Sequence, residues 1–184
     1  MKENVRKQAD IMKKTNDIAI NGGVVVFGST YMARFPFYEL AKKSMLENAV
    51  YNRSIEGLTV SEALEIAEDC VIGINPNKVF IALGEEDECD VHATREYERL
   101  IEKIRQSLPE CKIYLIGLFG QSEYAQCFNR KIRELCDGNM IKYINLVSKQ
   151  VPEAVLCKAR FKQLSWFFRD KAPTMSDAFS LSCI

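Results

Sequence analysis

Two adjacent hydroxyls, Ser29 and Thr30, follow the run Val24-Val25-Val26-Phe27-Gly28. A short β-branched apolar run closed by a turn residue reads as a buried parallel strand. In open α/β sheets, ligands bind just beyond the C-terminal ends of the strands. The two hydroxyls therefore stand where chemistry is expected. A hydroxyl that is to act as nucleophile needs a base to take its proton. The chain has one histidine, His92, five residues after Asp87. It is a candidate base and equally an ordinary exposed loop histidine. The run Glu85-Glu86-Asp87-Glu88-Cys89-Asp90 packs five carboxylates into six positions. Crowding can keep one carboxyl protonated, which makes Glu86 beside Asp87 a candidate acid or base. The run also suits a cation or a polyol, or is simply a solvated loop. Its spacing matches no EF-hand loop, and neither a metal nor a cofactor is expected. Arg53 is a candidate counter-charge across the crevice.

The elements that must position these groups alternate between strand and helix. Residues 2–16 read as an amphipathic helix with Val5, Ala9, Met12 and Ile11 inward. Strands are expected at 24–27, 49–55, 78–83, 112–118 and 141–146. A helix is expected at 36–44, with Pro36 at its first position. Another starts after Thr59, where Glu62 completes a capping box. Further helices follow at 94–108 and from Ser122 to about 135, with two short ones at 152–157 and 161–168. Such alternation predicts a three-layer α/β/α sandwich around a five-stranded parallel sheet. Right-handed crossovers give the flavodoxin-like order 2-1-3-4-5. The ends of strands one to three then meet at one crevice. The whole chain, 1–184, reads as a single domain with its N-terminal helix on the sheet.

Composition narrows the partners. The chain carries 25 basic and 25 acidic residues, for a formal net charge of zero. That balance gives no reason to expect nucleic acid or an anionic membrane. No apolar run approaches the roughly 20 residues that span a bilayer. The charged N-terminus has no apolar signal region, so a cytoplasmic location is expected. The seven cysteines include no CxxC pair, and most read as small buried hydrophobes. Cys89 and Cys183 fall nearest the suspected site. Oligomeric state is left open.

Four segments in order and register resemble the sequence blocks of the SGNH (GDSL) hydrolase superfamily. Gly28-Ser29-Thr30, followed by Phe35-Pro36-Phe37-Tyr38-Glu39-Leu40, is similar to G-D-S and its W-P-x-Y-E-L continuation. Asn52-Arg53-Ser54-Ile55-Glu56-Gly57 is similar to N-R-G-I-x-G, and Gly84-Glu85-Glu86-Asp87 to G-x-N-D. Asp177-Ala178-Phe179-Ser180 is similar to D-x-x-H, and Phe128-Asn129 to a Y-N pair. The resemblance implies that Thr30 holds the nucleophile position, with Ser29 beside it. It also implies that Ser54 replaces a glycine whose N–H serves the oxyanion hole, and Glu86 an asparagine that serves it too. Asp177 keeps the place of the orienting acid, and Ser180 stands at the base. Gly28, Asn52, Arg53, Ser54, Gly84, Glu86, Asp87 and His92 would line the ligand site.

Three readings follow. The first is an ester-hydrolase descendant with impaired catalysis, which binds a small molecule or carbohydrate ester in the old pocket. Loss of a triad's base costs on the order of a million-fold in serine hydrolases. Loss of one oxyanion donor costs roughly 100- to 1,000-fold. The second is a working short-chain esterase that uses Thr30 or Ser29, assisted by Glu86, Asp177 or His92. The third is a generic flavodoxin-like interaction module whose block matches are accidental.

Overall fold

The computed structural model describes residues 1–42, 46, 48–88 and 90–169. Strand β1 (Val24–Gly28) is buried at all five positions. It lies between β2 (Val50–Asn52) and β3 (Lys78–Ala82), and β4 (Lys112–Ile116) and β5 (Ile141–Ile144) extend the sheet beyond β3. All four pairings are parallel, in the order β2-β1-β3-β4-β5. This is the expected order, with helices on both sides of the sheet.

Alternation along the strands divides their side chains between two faces. Val25, Phe27, Val79, Ile81, Ile113, Leu115 and Ile141 share one face with the main core. Helices α1 (Glu3–Lys14), α4 (Val60–Cys70), α5 (Ala93–Ser107) and α6 (Glu123–Glu134) cover that core. Val24, Val26, Phe80, Tyr114 and Ile116 turn to the other face and are also buried. There the rings of Phe80 and Tyr114 stack at 4.6 Å.

Residue packing separates two compact units. The first joins Met1–Arg34 to Val50–Asn145 and holds the whole sheet. The second contains α3 (Phe37–Ala41) and α7 (Glu153–Phe168). Within it, the ring of Phe37 lies 5.5 Å from Phe161 and 5.7 Å from Phe168. Asn48 donates to the Phe168 carbonyl at 2.9 Å. Of the Trp166-Phe167-Phe168 run, Phe168 is the fully buried member, and it serves this packing.

Several expected boundaries move. The helix expected at 36–44 is α3, with Pro36 as its N-cap rather than its first residue, and a further short helix, α2 (Thr30–Arg34), precedes it. Proline has no N–H and disfavours helical backbone at the residue before it, so the chain breaks there. The segment expected as strand 49–55 is regular only over Val50–Asn52. It still follows β1, through Arg53 N–H to the Val26 carbonyl and Ile55 N–H to that of Gly28. The two helices expected near the C-terminus are one continuous α7, whose intervening residues include neither glycine nor proline to break it. In α1, Val5 and Ala9 are buried, and Ile11 is 55% exposed rather than inward. That helix packs chiefly on α4. Among the described residues, no helix is long and apolar enough to cross a membrane.

The helix caps form where the sequence places them. Thr59 Oγ1 accepts from Glu62 N–H, and Glu62 Oε2 accepts from Thr59 N–H, both at 3.3 Å. Ser122 Oγ accepts from Ala125 N–H at 3.1 Å. Thr59→Ala should lower stability by about 1 kcal/mol. The check is urea unfolding, with a lower midpoint and an unchanged slope.

Candidate functional site

Strand β1 delivers Ser29 and Thr30 to opposite fates. Ser29 is 0% exposed, and its Oγ is buried without a hydrogen-bond partner. Its backbone N–H is spent on the Ala82 carbonyl at 3.0 Å, beside the Gly28–Ala82 pair that ends the sheet there. The Ser29 hydroxyl is thus sealed in the core and not presented to the crevice. Thr30 begins α2 and is only partly buried. Its Oγ1 donates to Glu86 Oε1 at 2.5 Å and accepts from Gly57 N–H at 2.9 Å. The next backbone N–H, of Tyr31, donates to Glu85 Oε1 at 2.7 Å.

The backbone donor brought to Thr30 is Gly57. Ser54 N–H is occupied by Asn52 Oδ1 at 3.1 Å, and Ser54 Oγ is buried without a partner. Asn52 also donates to the Met32 carbonyl at 2.9 Å, which ties the end of β2 to α2. The signal for Gly57 was present in the Glu56-Gly57 turn, where φ is +74°. Such a backbone favours glycine.

Arg53 also departs from expectation. Its guanidinium donates to the Met12 carbonyl at 2.8 Å and to Asn16 Oδ1 at 3.1 Å. It lies 5.8 Å from the Tyr51 ring. The side chain is buried against the end of α1. On this side Arg34 pairs with Glu56. Position along α2 sets that pairing, and no block of the sequence marks it.

The acidic run is a set of caps. Besides the bonds from Thr30 and Tyr31, Asp87 accepts from Val60 N–H, at the first residue of α4, at 3.0 Å. Asp90 Oδ1 accepts from His92 N–H at 2.8 Å, at the start of α5. Positive ends of helix dipoles favour such carboxylates. Asp87 is only 2% exposed, and that burial pushes its carboxyl up to about 6, against the pull of the Val60 N–H. Shelter from water likewise raises Glu85, with the charge of Glu86 adding to it. His92 is exposed at the N-cap of α5, and its ring has no hydrogen-bond partner among the described residues. The structure does not bring it to Thr30. Among the described residues, no three His, Cys, Asp or Glu side chains group to hold a metal ion. Asp177, Ser180, Cys89 and Cys183 lie outside the described residues.

Tyr31 and Glu85, the chain neighbours of Thr30 and Glu86, line a pocket of about 220 Å³ whose walls also include Glu88, Phe119 and Tyr124; Thr30 and Glu86 themselves are not among its lining residues. Tyr31 and Phe119 meet edge to face at 4.6 Å. The Tyr124 hydroxyl donates to the Gly84 carbonyl at 2.7 Å. Gly84 has φ +109°, and a Cβ there would lie 2.4 Å from the Phe128 ring. Only glycine fits, so the acidic loop starts where Phe128 supports it. Asn129 clamps the exit of β4, accepting from Leu118 N–H at 2.7 Å and donating to its carbonyl at 3.0 Å. These are the structural roles of the Phe128-Asn129 pair.

The Asp87 cap has a pH signature. Its carboxyl binds a proton more readily folded than unfolded, between the ordinary 3.8 and about 6. The contribution of this group to stability therefore falls as pH rises through that window. Asp87→Asn keeps an acceptor for Val60 N–H and cannot ionise. Urea unfolding across the window should show the variant gaining stability relative to wild type as pH rises, by on the order of 2 kcal/mol. Parallel pH profiles would contradict this account.

No family model matches the sequence. No curated protein matches it either. Solved structures do match. One is a Streptococcus pneumoniae protein provisionally named as a platelet activating factor, with TM-score 0.77 and 18% identity over 91% of this chain and 94% of that one. A GDSL-like lipase from Bacteroides thetaiotaomicron gives 0.65 at 16% identity, over 85% of this chain and 96% of the other. A family 3 carbohydrate esterase from Clostridium thermocellum gives 0.59 at 12% identity, over 80% and 94%. Together with the sheet order and the hydroxyl at the end of β1, these likenesses identify the architecture: the chain has the SGNH, or GDSL-like, hydrolase fold.

Proposed function

We propose that this chain is a divergent SGNH-superfamily member with impaired acyl transfer, which binds a small molecule or carbohydrate ester in the old active-site pocket. The observation that carries the reading is the 2.5 Å hydrogen bond from Thr30 Oγ1 to Glu86 Oε1. An acyl-transfer site needs donors around the oxygen that gains charge. Here a carboxylate occupies one such place, and its negative charge opposes the oxyanion. Gly57 N–H remains as a donor, so the framework outlives the chemistry. A carboxylate is also a far weaker proton acceptor than imidazole at neutral pH. The block resemblance puts Ser180, which is no base, at the histidine position, with Asp177 keeping the place of its acid. Likeness to a carbohydrate esterase supports an ester-like ligand.

The same hydrogen bond favours one other reading, in which Glu86 takes the proton of Thr30 and the protein hydrolyses short acyl esters slowly. Hydrolysis of a chromogenic acetyl ester separates the two. Wild type, Thr30→Ala and Glu86→Gln should all equal the buffer blank. Turnover present in wild type and lost in Thr30→Ala would replace the first reading with the second. The combined variant Thr30→Ser, Glu86→Asn, Ser180→His should gain measurable turnover, and a folded but silent protein would count against the assigned register.

A further inference from the structure

We propose that the pocket lined by Tyr31 and Glu85 receives a methylated ammonium group, so that the ligand is a small organic cation or carries one. This rests on the reading that the pocket binds a small molecule. The walls supply the first argument. Tyr31, Phe119 and Tyr124 present three aromatic rings around one cavity. The faces of such rings attract cations, and methylated ammonium groups are held in this way.

Charge supplies the second argument. Glu85 and Glu88 line the same cavity, and among the described residues no lysine, arginine or histidine does. Arg34, the cation that acts on Glu85 and Glu86, is paired with Glu56. Burial raises the Tyr124 hydroxyl, and the charges of Asp87, Glu88 and Asp90 raise it further. The field of the loop therefore reaches the pocket wall.

The aromatic wall selects the kind of cation. A methylated ammonium needs charge and apolar contact, and the two carboxylates and three rings of the lining supply both. At about 220 Å³ the space is below the roughly 300–1,000 Å³ of pockets for drug-sized ligands, so the group is small.

The test is calorimetric titration of the full chain with choline, with its neutral isostere 3,3-dimethyl-1-butanol, and with a short acetyl ester. Choline should bind at least tenfold tighter than the isostere, and its affinity should weaken as salt is raised. Glu88→Gln, an exposed change that leaves the fold intact, should weaken choline several-fold and leave the isostere unaffected. Equal binding of choline and isostere overturns the cation inference and leaves a neutral small-molecule pocket. Binding of the acetyl ester without choline does the same. Binding of none of the three removes both the inference and the reading beneath it.

Discussion

The capping of backbone donors by the loop after β3 is the constraint on which the site depends. Glu85 accepts from Tyr31 N–H in α2, Asp87 from Val60 N–H at the start of α4, and Asp90 from His92 N–H at the start of α5. Parallel strands bring those helix starts to the same end of the sheet, where their N–H groups lack partners in their own helices. A polar loop without carboxylates would leave them to water. Here the loop meets them with charge, and Asp87 is buried in doing so, which costs desolvation and raises its carboxyl to about 6.

The same loop explains the state of the nucleophile position. Glu86 sits between two capping neighbours, and its carboxylate meets Thr30. The hydroxyl is thus held from both sides, by Glu86 as acceptor and by Gly57 N–H as donor. Gly57, Gly84 and the Asn129 clamp fix the strand ends and the acidic loop around Thr30. This frame keeps the pocket at Tyr31 and Glu85 open while the loop gives that pocket its negative sign.

What the sequence by itself determined were the features set by short-range physics. Five apolar runs at strand period, separated by helical patterns, dictate a parallel sheet and its order. The Thr59–Glu62 box and the Ser122 cap are local hydrogen bonds and form as read. The order of the blocks was enough to bring Thr30, the 52–57 turn and Glu86 to one place. Tertiary structure decided where side chains point. Ser29 and Thr30 are adjacent and chemically alike, yet strand geometry seals one in the core and turns the other to the crevice. Arg53 and Ser54 lie beside the crevice in sequence, but Arg53 follows the carbonyls at the end of α1 and Ser54 N–H is taken by Asn52. The donor that meets Thr30 is the N–H of Gly57, three residues later. Local patterns encode which residues form an element. The direction of a polar group depends on which partner, distant in sequence, leaves a donor or acceptor unmet, and only the folded chain decides that.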